Sequence, residues 1–514
     1  MKSDLVHQFL ETWVAADPEA ILVTERDGNK TYSEVETGAN RIARILVDCK
    51  LRKGDRVALI APNSSLYIEA YYGILKAGGI VVALDAGGDL ESQAARLADC
   101  TPTGIICSGP QVRRGLQLAA RLDLGFVLSL DVSVPAARSG LGDATLLIDG
   151  PEALPASGAE PLNLQMDPGD RAAIVYTSGS TGKPRGVILS HRNLVANTVS
   201  INSYLGLTAA DSILAVLPFH YVYGKSLLNT HVAAGGRVVI ENRFLYPQEA
   251  LNTMEQQAVS GFSGVPSTFA ILLNKSNFEQ RELPALRYVT QAGGAMAPAM
   301  QERLLKAIPG KEIYIMYGAT EASARLSYLP PSDLKARVGS IGKAIPGVEL
   351  TVRRDDGTVA GPDEVGELVA RGDNIMEGYW NAPAETAEVL TDLGYHTGDL
   401  ARRDTDGFLY IVGRSREMIK SGAHRISPKE IEEAIARNPT VDEVAVKGVA
   451  DEMLGESIHA FITLRAGRPC SEREIQEWCR GQIAPHKTPH QVHFIETFPR
   501  NASGKIDKLA LSSR

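Results

Sequence analysis

As far as about residue 410 the chain alternates short apolar runs with amphipathic stretches, and this alternation limits the possible folds more than any other feature. Arg56–Ile60 reads as a strand, Ser65–Ala77 as a helix and Gly79–Ala83 as the next strand. A second series runs through Asp211–Val216, Gly236–Ile240 and Arg287–Thr290. Apolar runs of this length, separated by helical stretches, are what parallel strands covered by crossover helices require. The fold class expected is therefore α/β, with layered subdomains and largely parallel sheets. From Leu350 to Ile411 the pattern changes to short β segments with turns at Asp355-Asp356-Gly357 and Asp406-Gly407, which predicts a small β subdomain. The last hundred residues predict a compact α+β unit: a helix over Pro428–Arg437, strands over Val444–Val449 and Ile458–Leu464, a helix over Ser471–Gln482 and a final strand.

At 514 residues the chain exceeds what one hydrophobic core serves. The division expected is a large N-terminal domain, residues 1–414, and a C-terminal domain, residues 415–514. They meet at the polar link Ser415-Arg416-Glu417. Val134 to Leu162, rich in Pro, Ser and Gly, reads as a surface excursion. No internal repeat is visible. A net charge of −8 without a basic stripe gives no footprint for nucleic acid. No apolar run reaches membrane-spanning length, and the charged start Met1-Lys2-Ser3-Asp4 is not that of a secretory signal. The five cysteines lack metal-ligand spacing and read as reduced buried thiols, so a cytoplasmic location is expected.

The strand-like run Arg171–Tyr176 leads into Thr177, Ser178, Gly179, Ser180, Thr181, Gly182 and Lys183, followed by Pro184-Arg185-Gly186. Glycines and hydroxyls beside one lysine present N–H and O–H donors and a fixed positive charge, the chemistry that holds a polyphosphate. It is not a Walker A loop: two residues separate Gly179 from Gly182-Lys183 where four are needed, and Pro184 stands in place of a magnesium-binding Ser or Thr. A plain surface loop is the alternative for such a run taken alone.

Further segments follow in order: Tyr317-Gly318-Ala319-Thr320-Glu321, Gly366-Glu367-Leu368, Gly378-Tyr379-Trp380-Asn381-Ala382-Pro383, Tyr395–Asp399, Gly413-Arg414, Ile419-Lys420, Pro428–Glu432 and Arg500–Lys505. Together with the phosphate loop they resemble the AMP-forming adenylating superfamily of acyl-CoA synthetases, peptide-synthetase adenylation domains and luciferases. The pattern is nearest to that of acyl-CoA or acyl-carrier-protein ligases. The resemblance covers nearly the whole chain from Thr31-Tyr32 onward.

What the resemblance implies is an ATP-dependent, AMP-forming acid–thiol ligase with a mobile C-terminal domain. A carboxylate would attack the α-phosphorus of ATP and expel pyrophosphate, and a thiol would then take the acyl group. The carboxylate is already ionised at pH 7, so no general base is needed and catalysis reduces to positioning and charge neutralisation. Thr177–Lys183 would cradle the β- and γ-phosphates, Thr320 would donate to the α-phosphate, and Glu321 would ligate Mg2+. Gly293-Gly294-Ala295 would offer bare backbone to adenine, with Tyr317 and Gly318 opposite. Asp399 and Arg414 would hold the ribose. Lys505 would bridge the carboxylate and the α-phosphate, with Arg416 as the hinge that delivers it. The loop Ser421-Gly422-Ala423-His424 would serve the thiol step, and Ala423 departs from the glycine usual in this family. The acceptor implied is coenzyme A, or alternatively the phosphopantetheine of an acyl carrier protein.

The segment Pro218-Phe219-His220-Tyr221-Val222-Tyr223-Gly224-Lys225 carries no carboxylate to hold an ammonium group, which argues against an α-amino acid substrate. His220 resembles the gating aromatic of acyl and aryl ligases. Tyr221, Gly224, Lys225 and Arg325 are the acyl-pocket candidates for a small carboxylic acid. Charges are rarely buried unpaired, so solvated faces are expected for Lys225 and Arg325; the alternative is a substrate with a polar or acidic distal end. A nucleotide-binding regulator without catalysis and a luciferin-type oxygenase are the readings from other classes. Intact Lys183, Glu321, Asp399 and Lys505 oppose the first.

Overall fold

The computed structural model describes residues 3–131, 146–149, 159–178, 184–421, 424–451, 453–500, 506–508 and 510–511. The apolar runs assemble into two large, mainly parallel sheets, as the alternation predicts. One has eight strands in the order Gly378–Tyr379, Pro184–Ser190, Arg171–Ser178, Ile80–Ala83, Arg56–Ile60, Gly104–Cys107, Phe126–Ser129, Leu146–Asp149. Every residue of Ile80–Ala83 is buried, as befits a strand covered on both faces. The second has nine strands. At its centre Arg237–Ile240, Ser212–Ala215, Gly261–Gly264, Tyr288–Gln291 and Glu312–Tyr317 lie side by side and parallel.

Helices cover these sheets for local reasons. Tyr32–Asp48 starts at a reciprocal cap between Thr31 and Glu34 and turns Val35, Ala39, Ile42 and Leu46 inward at helical spacing. Ser65–Lys76 is capped by Ser64, whose hydroxyl accepts from the Tyr67 N–H, and it is buried at every position but Leu66. The predicted β subdomain is present as a sheet of Val348–Arg353, Gly366–Gly372, Gly394–Arg403 and Leu390–Thr391, with Leu409–Arg414 also paired to Gly394–Arg403. After it, Ile419–Ser421, His424–Ile426, Val441–Asp451, Gly455–Leu464 and Gln491–Phe494 form a fourth sheet. That sheet and the helices Pro428–Ala436 and Glu472–Arg480 close over a core of their own, with Ile431, Ile435, Val446, Ile458, Ile462 and Ile475 at its centre.

Three features differ from expectation. The strand from Arg171 does not stop at Tyr176 but runs to Ser178 and pairs antiparallel with Pro184–Ser190, so Thr177 and Ser178 lie opposite Arg185 and Pro184. Within the excursion Val134–Leu162, most of which lies outside the described residues, Leu146–Asp149 adds an edge strand beside Phe126–Ser129. The two C-terminal strands are longer than their apolar centres, because backbone pairing continues through polar ends such as Glu443 and Glu456. All five cysteines are unpaired; Cys49 and Cys470 are only half-buried. Among the described residues no helix is long and apolar enough to cross a membrane.

Candidate active site

Neighbouring parallel strands release their chains at the same edge of a sheet, and here that edge carries the nucleotide motifs. Tyr288–Gln291 and Glu312–Tyr317 pair with Gln291 opposite Ile315, so Gly293–Ala295 and Tyr317–Glu321 emerge side by side. Gly293, Gly294 and Ala295 are exposed, and Gly293 has φ +80°, a conformation that favours glycine. The Tyr317 phenol donates to Asp399 Oδ2 at 2.5 Å. Burial, and after it the negative charge of Asp399, hold that phenol protonated far above its ordinary pKa. Asp399 and Arg414 face each other across adjacent strands, with Arg414 Nε 3.0 Å from Asp399 Oδ1. The two residues expected at the ribose are thus already joined to the residue expected at the base.

Thr320–Ala322 form a single 3₁₀ turn, which turns Glu321 toward Tyr379; the Tyr379 phenol donates to Glu321 Oε1 at 2.9 Å. Tyr379 belongs to the short strand paired with Pro184–Ser190, and its ring lies 5.3 Å from the Arg185 guanidinium. Through Tyr379 the phosphate hairpin of one sheet is tied to the carboxylate of the other. Among the described residues no group of three or more His, Cys, Asp or Glu side chains could hold a metal by itself. A lone carboxylate with one oxygen still available fits Mg2+, which completes its shell with water and substrate phosphates.

On the acid side the helix Val222–Ala234 follows the turn at His220, whose ring lies 4.5 Å from that of Tyr221. Burial lowers His220 to about 4 against the opposing pull of Asp85, with Lys225 and Arg96 adding to the drop, so the ring is neutral at pH 7. Gly224 is required for packing: a Cβ there would sit 2.1 Å from the Pro218 carbonyl oxygen. Tyr223 reaches Thr290 Oγ1 at 2.9 Å, which binds this turn to the strand leading to Gly293.

Lys225 and Arg325 do not lie on solvated faces. They are 1% and 2% exposed. Lys225 Nζ lies 5.2 Å from the Tyr71 ring, and the Arg325 guanidinium 4.0 Å from the Tyr223 ring. Aromatic faces replace part of the lost hydration of a cation, which is how two charges come to be enclosed here. The backbone before Arg325 is strained: Ser323 has φ +57° and Ala324 φ +130°, conformations that cost on the order of 1–3 kcal/mol each. Asn197 and Asn374 hold it, both donating to the Arg325 carbonyl, at 3.1 and 2.8 Å.

In the C-terminal sheet Ser421 is buried and pairs with His424, whose ring stacks on His486 at 4.1 Å. Thr177 pairs with Arg185, and Ser178 with Pro184, in the phosphate hairpin. Gly179, Ser180, Thr181, Gly182, Lys183, Gly422, Ala423 and Lys505 lie outside the described residues, as does the side chain of Arg416. Sequence reasoning assigned no role to Tyr379, although Gly378-Tyr379-Trp380 was in view. Nothing in the sequence marked Asn197, Asn374 or the strained Ser323-Ala324.

The family model described as AMP-binding enzyme matches residues 10–380, and that of the AMP-binding enzyme C-terminal domain matches residues 430–505. The chain belongs to this family. It is 30% identical to the long-chain-fatty-acid–CoA ligase of Bacillus subtilis over 93% of this chain and 88% of that one. It is 32% identical to the sulfoacetate–CoA ligase of Cupriavidus necator over 94% and 92%. The o-succinylbenzoate coenzyme A synthetase MenE of Bacillus subtilis, in complex with ATP and a magnesium ion, shares the fold with a TM-score of 0.83 at 28% identity, covering 98% of both chains. The chain is accordingly an AMP-forming acid–thiol ligase with a mixed α/β N-terminal part and a smaller C-terminal one. In this enzyme the motif-bearing turns of three sheets meet at Tyr317, Glu321 and Asp399.

Proposed function

We propose that the enzyme joins a small carboxylic acid to coenzyme A in two steps, each with assigned residues. In the first, a carboxylate oxygen bonds to the α-phosphorus of ATP, and the bond from that phosphorus to the bridging oxygen breaks to release pyrophosphate. In the second, the thiol sulfur bonds to the acyl carbon and AMP leaves. Adenine lies against Gly293–Ala295 beside Tyr317, and the ribose hydroxyls donate to Asp399 next to Arg414. Thr177–Lys183 and Thr320 bind the phosphates. Magnesium, where Glu321 holds it on the nucleotide, neutralises charge on the phosphate oxygens. His220, neutral at pH 7, lines the passage between acid and thiol.

The observation that supports this reading is the joined set Tyr317–Asp399–Arg414, which links the residue proposed at the base, on the nine-stranded sheet, to the two proposed at the ribose, on the β subdomain. The domain boundary is proposed at Arg414/Ser415, in the 3₁₀ turn Ser415–Glu417. Arg416 is proposed as the hinge that presents Lys505 for adenylation and Ser421–His424 for thioester formation. The unpaired cysteines fit a reducing cytoplasm.

The test is ATP–pyrophosphate exchange across a panel of carboxylic acids, followed by transfer from the acyl-adenylate to free coenzyme A or to a carrier protein's pantetheine. Exchange with at least one acid and faster transfer to free coenzyme A are expected. Exchange without transfer to any thiol would refute the second step.

A further inference from the structure

Two cations are enclosed beside the site, and among the described residues neither is paired with a carboxylate. Lys225 Nζ has no hydrogen-bond partner, and burial lowers the amine to about 8, so it can give up its proton near neutrality. Arg325 carries its charge on a planar guanidinium with five donors. Its contacts include the face of Tyr223, the carbonyl oxygen of Ala324 at 3.1 Å, the sulfur of Met316 at 3.3 Å and the Tyr204 hydroxyl. Among the described residues no carboxylate pairs with it. The guanidinium's five donors therefore meet only neutral acceptors there, the Ala324 carbonyl oxygen, the Met316 sulfur and the Tyr204 hydroxyl, and the charge is 2% exposed.

Position and backbone point the same way. The Leu326 N–H donates to the Tyr317 carbonyl oxygen at 2.9 Å, and a Cβ on Gly318 would come 1.9 Å from the Ala324 oxygen. The segment is thus folded back under the turn that carries Thr320 and Glu321. The ring beneath the guanidinium belongs to Tyr223, between the His220 turn and the strand Tyr288–Gln291 that leads to Gly293. Ser323 and Ala324 keep positive φ angles there, held by Asn197 and Asn374. An apolar wall for a hydrocarbon tail would need neither the strain nor the charge.

We propose, resting on the ligase reading above, that the acid activated by this enzyme carries a second anionic group at its distal end, a carboxylate or a sulfonate, and that the Arg325 guanidinium binds it. The planar fork of donors suits two oxygens of such a group. Binding replaces an enclosed lone charge with a matched pair, so the substrate itself completes the pocket.

The experiment measures pyrophosphate exchange with wild-type enzyme, magnesium and ATP on matched acids: an aliphatic or aryl acid, its distal carboxylate, the distal methyl ester and the distal sulfonate. The doubly anionic acids are expected to exceed their singly charged partners in kcat/KM by about a hundredfold or more, since a site built to bind a polar group discriminates strongly against analogues lacking it. The carboxylate and sulfonate arms show which anion fits. Equal or better exchange with the singly charged acids overturns the inference and leaves the ligase reading standing; no exchange with any acid overturns that reading itself. In Arg325→Met and Arg325→Lys the preference is expected to collapse, through KM of the doubly charged acid, with KM for ATP within about twofold of wild type. Equal losses on both kinds of acid would show that Arg325 serves the reacting carboxylate or the nucleotide, against the inference. The wild-type comparison decides the matter even if both variants fail to fold.

Discussion

The two ends of the site satisfy their charges differently. At the nucleotide end Asp399 is matched by Arg414 and by the Tyr317 phenol, and Glu321 accepts from Tyr379. At the acid end Lys225 and Arg325 are enclosed with aromatic faces and, among the described residues, no carboxylate. The first arrangement is complete in the protein and, in the reading proposed above, serves ATP. The second is complete only with something bound. Selectivity for the acid therefore resides in the unmatched end, and the matched end can be shared with relatives whose acids differ. Magnitudes support the contrast. The Asp399–Arg414 pair, with Arg414 63% exposed, adds little to stability. Lys225 is pushed down from 10.5 to about 8 by burial, a cost of roughly 3 kcal/mol at ~1.4 kcal/mol per pH unit.

The largest effect is expected where the two ends meet. Lys505→Ala should lower acyl-adenylate formation by about 10²–10³-fold, the usual loss when one stabiliser of transition-state charge is removed. Thioester formation from supplied acyl-adenylate should stay nearly intact, because the proposed hinge motion brings Lys505 to the site only for adenylation. Single-turnover measurement of each half-reaction separates the two, and equal losses would mean that Lys505 supports both closures or the fold.

Next in size is a stability effect confined to the acid end. Unfolded, Lys225 keeps its proton to about 10.5; folded, it loses it near 8. Between those values the unfolded chain binds more protons, so this residue makes stability rise with pH across that window, and the full burial cost applies below about pH 8. Lys225→Met should therefore be more stable than wild type at pH 7, by up to roughly 3 kcal/mol before any packing change. The gain should shrink toward the packing difference as pH approaches 10.5. Urea unfolding of both proteins at several pH values checks this, and a pH-independent difference would show that the lysine is paired in the folded enzyme.

The sequence disclosed the matched end better than the unmatched one. The alternation of apolar runs predicted both large sheets, and the Asp-Gly turns predicted the β subdomain, because burial on two faces and tight turns each leave a local signature. Tyr317, Glu321, Asp399 and Arg414 were found through ordered motifs. Arg325 and Lys225 were noticed but expected in solvent, since a charged residue in a chain carries no mark of where its stem will run. Their enclosure depends on Tyr71 and Tyr223, distant in sequence from Lys225 and Arg325 respectively. The strain at Ser323-Ala324 was equally hidden: neither residue is a glycine, and it is maintained by asparagines more than forty positions away, Asn197 and Asn374.

A smaller, sharper effect concerns the ribose. Asp399→Asn keeps shape but removes the charge that Arg414 and the nucleotide hydroxyls share. Hydrogen bonds to charged groups contribute about 1.5–3 kcal/mol, part of which the amide retains, so KM for ATP should rise roughly tenfold. KM for the acid should not follow. A parallel rise in both would mean that the two ends are coupled through Asp399 and are not separable as described.

The smallest expected effect tests the tie between the hairpin and Glu321. Tyr379→Phe removes the hydroxyl that donates to Glu321 Oε1 at 2.9 Å and leaves the ring, with its contact to Arg185, in place. Glu321 is only half-buried, so water can take over the lost donor and no charge is stranded. The loss should then be that of one ordinary hydrogen bond, about 1 kcal/mol, read as a roughly fivefold rise in KM for magnesium–ATP with acid KM and stability near wild type. Titrating magnesium at fixed ATP gives the direct reading, because a carboxylate free to rotate should demand more of the ion. A variant indistinguishable from wild type in that titration would show that Glu321 is oriented by its backbone alone, through the Met376 N–H that donates to its carbonyl oxygen at 2.8 Å. The matched end would then be held by its turn and not by its side-chain pairs, and the contrast with Arg325 would narrow to one of charge.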